Sequence, residues 1–81
     1  MYYVYILKSL KDEKFYTGYT DNLKRRYSEH KNGKVQSTKS RRPLILICYE
    51  AYLDKATAMA REKFLKTSDG KKDLNRRLKK Q

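Results

Sequence analysis

The stretch "YYVYILKSLKDEKFYTGYT", Tyr2 to Thr20, decides the fold. "YYVYILK", Tyr2 to Lys8, is dense in aromatic and β-branched residues and reads as a strand. "LKDEK" supplies a polar turn. "KFYTGYT" reads as a second short strand that stops near Gly18. Two strands joined by so short a connection pair as an antiparallel hairpin. Gly18 marks a place where the backbone bends or is closely approached.

Outward from the hairpin, "TDNLKRRYSEHKNGK" offers Thr20 or Asp21 as an N-cap and Gly33 as a stop, so a helix is expected from Asn22 to Lys31. "VQSTKSRRP" is polar and basic, holds the single proline, and reads as a mobile loop. "LILICYEAY", Leu44 to Tyr52, is a third strand; its near-continuous apolar character predicts a central position with both faces buried. Asp54 caps a second helix in "DKATAMAREKFLKT". A break at Ser68–Gly70 precedes a short basic helix over about residues 71–80, with Leu74 and Leu78 one turn apart. The order β-β-α-β-α-α predicts an α+β, sandwich-like fold: a three-stranded antiparallel sheet flanked by helices.

Composition narrows the partners. The 81 residues suit one domain, 1–81. They carry 21 Lys+Arg against 9 Asp+Glu, a formal net charge of +12, which favours an anionic partner, above all nucleic acid. Cys48 is the single cysteine, so an internal disulfide and a cysteine-rich metal site are excluded, and the reducing cytoplasm is the expected compartment. "MYYVYILKS" is too short for a signal peptide, and no stretch is long enough to cross a membrane.

The first helix concentrates the chemistry. Leu23, Arg26, Tyr27 and His30 fall at i, i+3, i+4 and i+7 and form one stripe. Leu23 and Tyr27 anchor it, so Arg26 and His30 border the core. A partly desolvated guanidinium calls for an anion. That anion is either a carboxylate, Glu62 or one on a strand, with His30 as a satisfied edge histidine, or a bound phosphate, which the planar fork of Arg26 matches. Tyr5 and Tyr16, if the hairpin sets them opposite each other, aim two hydroxyls beside this helix. A tyrosine titrates near pH 10 in isolation, and a neighbouring Arg26 would make its phenolate more accessible. Glu62, set among Ala58 and Leu65, reads either as the partner of Lys66 or as a carboxylate ligand for a hard divalent cation.

Taken together, these residues resemble the GIY-YIG nuclease family. "VYI", Val4-Tyr5-Ile6, stands for the first motif, and "YTG", Tyr16-Thr17-Gly18, for the second, ten residues on. Arg26 and His30 in "NLKRRYSEH" match the helix arginine and the histidine one turn later, and Glu62 in "REKFLK" matches the metal-binding glutamate. The likeness runs from Tyr2 to about Leu74 and is greatest to small single-domain bacterial members related to the nuclease end of the DNA-repair excinuclease. It implies metal-dependent endonuclease action on DNA, in repair or recombination. Glu62 would hold one Mg²⁺ or Mn²⁺, and Tyr5 would orient or deprotonate the attacking water, with Tyr16 lining the site. Arg26 would stabilise charge on the phosphate, His30 would assist proton transfer, and Gly18 would let the backbone come close. Val4 replaces the glycine of the first motif, and Asn75 is the candidate for the asparagine that follows the glutamate in many members. With no room for a second, DNA-selecting domain, Lys24, Arg25, Lys39, Arg41 and Arg42 would grip the DNA backbone, alongside the basic C-terminal helix. A symmetric duplex cut would need a homodimer or two sequential nicks. The competing expectations are a catalytically weak nucleic-acid-binding module, or a partner protein within a larger repair complex.

Overall fold

A computed structural model describes residues 1–78. Strand β1 (Tyr2–Ser9) and strand β2 (Phe15–Thr20) form the expected hairpin. Helix α1 (Leu23–Lys31), a 3₁₀ turn (Lys39–Arg41), strand β3 (Leu44–Tyr52), helix α2 (Lys55–Leu65) and helix α3 (Ser68–Leu78) follow. The architecture is therefore α+β, a three-stranded antiparallel sheet with three helices in the order β-β-α-β-α-α. Residues 79 and 80, the end of the helix expected over 71–80, lie outside the described residues.

The sheet order is β2-β1-β3, so β1, not β3, is the central strand. β1 feeds two cores on alternate residues, as the period of a strand requires. Val4 and Ile6 pack with Ala58, Leu65, Leu74 and Leu78 beneath α2 and α3. Tyr5 and Leu7 pack with Leu44, Leu23 and Tyr27 beneath α1. The apolar run in β3 has another cause than two-sided burial. A register shift opposite Ile6/Leu7 pairs Ile6 with Cys48 but Leu7 with Leu46. The extra residue is a β-bulge, and through it Ile47 and Cys48, adjacent in sequence, both pack on the α2/α3 core while Leu46 packs on the other.

Local chemistry sets the element ends. Asn22, not Thr20 or Asp21, caps α1 by accepting the backbone N–H of Arg25 at 3.0 Å. Asp54 caps α2 by accepting from Thr57 N at 2.8 Å. The break between α2 and α3 falls at Lys66–Thr67 rather than at Ser68–Gly70. Gly70 lies inside α3 and is buried where that helix crosses the last turn of α2; a Cβ there would collide with the Phe64 carbonyl oxygen.

The segment 35–43, expected as a mobile loop, is tied down. Val35 and Thr38 are buried in it. Ser9 Oγ donates to the Arg41 carbonyl at 2.6 Å, Leu10 N donates to the Pro43 carbonyl at 2.8 Å, and Lys11 Nζ donates to the Ser40 carbonyl at 3.1 Å. Arg41 completes the clasp with an ion pair to Asp12 at 3.2 Å. Satisfied backbone groups, which a hydropathy pattern does not display, tie it to the hairpin turn.

Candidate active site

The α1 stripe folds as its spacing dictates: Leu23, Arg26 and Tyr27 are half-buried and His30 is fully buried. Tyr27 fastens the helix to β3 by donating its hydroxyl to the Leu44 carbonyl at 3.3 Å. Arg26 pairs with Glu29 on its own helix at 3.1 Å, not with Glu62 or a strand carboxylate. Both sit on the wall of a shallow hollow of about 350 Å³ beside Thr20 and Lys55.

Beneath that wall, the Tyr5 hydroxyl lies 2.8 Å from His30 Nε2, and His30 Nδ1 lies 2.7 Å from Thr38 Oγ1. His30 is therefore held at both ring nitrogens in the interior, not at an edge. The Arg26 guanidinium acts electrostatically on the Tyr5 hydroxyl. Both partners of the His30 ring are hydroxyls, which donate or accept, so the neutral imidazole is satisfied with its proton on either nitrogen. Burial, reinforced by the Arg26 charge, pushes His30 down to about 4 and keeps it neutral.

Tyr5 and Tyr16 do not stand opposite each other. Tyr5 faces Gly18 across the hairpin and Tyr16 faces Leu7, a diagonal arrangement. Even so, the Tyr16 ring meets the His30 ring edge-on at 5.3 Å, and the Tyr5 ring meets it at 5.5 Å. Gly18 is indispensable for a steric reason: the Tyr5 phenol lies where a Cβ at residue 18 would be. The expected easing of Tyr5 ionisation by Arg26 is outweighed. Burial raises the phenol's pKa, the Arg26 guanidinium opposes it, and the Glu62 carboxylate raises it further.

Glu62 lies within electrostatic reach of Tyr5, and its Oε2 is 2.9 Å from Lys66 Nζ. That ion pair is the i, i+4 contact its spacing allowed. Among the described residues, no three His, Cys, Asp or Glu side chains gather as a metal site. A lone carboxylate fits a hard cation such as Mg²⁺ or Mn²⁺, which keeps most of its water and shares phosphate oxygens.

The structure thus brings Tyr5, Tyr16, Gly18, Arg26 and His30 together, with Glu62 in electrostatic range of Tyr5. The expected backbone-gripping residues scatter. Lys24 and Lys39 are exposed, while Arg25 is exposed and paired with Asp21 at 3.5 Å. Arg41 is committed to Asp12, and Arg42 folds back over Gly33 with its Nε donating to the Lys39 carbonyl. Asn75 lies across a cleft from Tyr16. Thr38 is the site residue that sequence reasoning misses; its eight-residue distance from His30 carries no periodic signal.

Comparison with known proteins supplies the context. The family described as the GIY-YIG catalytic domain matches residues 1–75. A UPF0213 protein of Staphylococcus haemolyticus is 46% identical over 67 residues, 82% of this chain and 80% of its own. One from Natronomonas pharaonis is 43% identical over 67 residues, 82% of this chain and 78% of its own. The solution NMR structure of a UPF0213 protein from Bacillus halodurans superposes with a TM-score of 0.56 at 38% identity, over 91% of this chain and 82% of that one.

Proposed function

The chain belongs to the GIY-YIG catalytic-domain family, and on that premise we propose that it is an endonuclease that hydrolyses DNA phosphodiester bonds with one divalent cation. A nuclease-type function follows from the family; the substrate, the cation and the residue roles are our reading. The observation that carries it is the phenol of Tyr5 hydrogen-bonded to a neutral imidazole, with a guanidinium and a carboxylate in electrostatic range.

Hydrolysis needs a water stripped of a proton, a phosphorus made electrophilic, and charge to stabilise the departing oxygen. His30 is neutral at physiological pH and, through its 2.8 Å hydrogen bond, would fix the position of the Tyr5 hydroxyl. Arg26, from the wall of its hollow, would offset the charge on the phosphate. The Tyr5 oxygen would orient the attacking water. Tyr16, which lines the neighbouring cleft, would border the substrate. Glu62, with Lys66 moved aside, would hold Mg²⁺ or Mn²⁺, whose chemistry is to polarise the phosphate and lower the pKa of a bound water. One chain carries one such site, so a duplex break calls for a homodimer or successive nicks. Action in the cytoplasm, in repair or recombination, belongs to the same reading.

A second reading, a binding module or a partner in a repair complex with weak catalysis, draws on the burial of Tyr5, only 1% exposed. Incubating supercoiled and branched DNA with the protein in Mg²⁺ or Mn²⁺ separates the two. The nuclease reading expects nicking that EDTA abolishes, that Arg26→Ala lowers about 10²-fold, and that Tyr5→Phe and Glu62→Gln also suppress. Binding without nicking, or nicking indifferent to all three substitutions, sinks it in favour of the second.

A further inference from the structure

Beside the candidate active site lies a cleft to which the proposed chemistry assigns no role beyond its Tyr16 wall. It measures about 480 Å³ and opens between β2, the end of α2 and the middle of α3. We propose that it is a subsite for one nucleotide of the cleaved strand, the unit adjacent to the scissile phosphate. The proposal rests on the nuclease reading and extends it.

The lining has the chemistry of a nucleotide. Phe15, Leu65 and Leu74 form an apolar floor; Leu65 and Leu74 are buried and Phe15 is half-buried. A base ring is flat and apolar on its faces and gains from being laid on such a surface. Lys14, Lys66 and Lys71 bring ammonium groups from three separate segments to the same cleft, against the single carboxylate of Glu13. Lys66 is already half neutralised by Glu62, so attraction for a phosphate falls chiefly on Lys14 and Lys71. The volume lies within the roughly 300–1,000 Å³ typical of sites that enclose a small molecule. A pure anion site needs no such floor, and a purely apolar partner gains nothing from three cations.

Position connects the cleft to the chemistry. Tyr16 belongs to both sites: its ring meets His30, and it lines the cleft. Lys66 likewise lines the cleft and touches Glu62. A nucleotide seated there would have its phosphodiester linkage beside Tyr16.

The test is an amide-resolved NMR titration of the whole protein in EDTA at low salt, with deoxyadenosine monophosphate, deoxyadenosine and inorganic phosphate as separate probes. The expected result is saturable shifts confined to the signals of Lys14 to Thr17, Leu65, Lys66, Lys71 and Asn75. The nucleotide should bind at least about tenfold more tightly than phosphate or nucleoside alone. A Lys14→Ala/Lys71→Ala double variant, altering two exposed side chains, should weaken it about tenfold, the effect of losing two weak charge contacts. Phosphate binding as tightly as the nucleotide, shifts centred elsewhere, or a double variant that binds unchanged would each overturn the proposal. The probes contain no cleavable linkage and no cation is present. Lost nicking with intact binding therefore strikes only the nuclease reading, and lost binding with Tyr5-dependent nicking strikes only the subsite.

Discussion

Gly18 and Tyr5 are one steric unit. The ring of Tyr5 fills the space above the glycine, and Tyr5 is itself buried, so it has nowhere to retreat. Gly18→Ala should cost about 2 kcal/mol or more in urea unfolding, in the range of overpacked cores, and should abolish nicking by displacing the phenol. His30 carries a pH signature. Its folded-state pKa is depressed from 6.5 to about 4, so between those values the unfolded chain binds a proton that the folded chain refuses. The stability it confers is fully present above pH 6.5 and is lost as the pH falls toward 4, by roughly 3 kcal/mol over the window. Arg26 and Glu29 both face this ring, the first lowering and the second raising its pKa. Urea midpoints at pH 7 and pH 4.5 should differ more for the wild type than for His30→Gln. Equal losses in both proteins would show that other groups govern the acid response.

At the scale of elements, α2 and α3 meet at close backbone range where Gly70 lies against Phe64 and Leu65. Gly70→Ala pushes a methyl into the Phe64 carbonyl, where backbone cannot give way easily. We expect a loss of about 1–3 kcal/mol, with a drop in helical circular dichroism on mild heating. Asp54→Ala should cost about 1 kcal/mol through the lost cap. Much of this level is legible in the amino-acid order. The Leu23, Arg26, Tyr27, His30 stripe follows from helical spacing, and the Asp54 cap follows from residue type. Strand order is not legible, because the bulge in β3 lets consecutive apolar residues share one core and so mimics a central strand. β1 is disguised in turn, since its tyrosines read as mixed polarity although the Tyr5 ring is core. The clasp that places Thr38 under His30 leaves no pattern because it is built from backbone carbonyls and short hydroxyls. Glu50 offers a parallel case on the other face of the sheet. It accepts from Arg61 at 2.9 and 3.2 Å and from Tyr52 at 2.5 Å, joining α2 to β3 through polar atoms that no hydrophobic pattern predicts.

For the molecule as a whole, the formal charge of +12 is the dominant long-range property. DNA affinity should fall steeply with salt, with a log–log slope of about −0.7 to −0.9 per phosphate neutralised. Lys24→Ala and Lys39→Ala, at exposed lysines, should each flatten that slope by about one contact. Arg41→Ala should instead lower thermal stability, since Arg41 is spent on Asp12. Fluorescence anisotropy across a salt series, beside melting curves, distinguishes the two kinds of cation. β1 has one further consequence. The strand that anchors both halves of the interior also bears the reactive phenol, on the residue between Val4 and Ile6. Sliding it by a single step would swing Tyr5 into the opposite compartment and bring an aliphatic side chain to His30. A loosened intermediate that still cuts is thus denied to this protein: denaturant should extinguish turnover and tertiary order along the same curve.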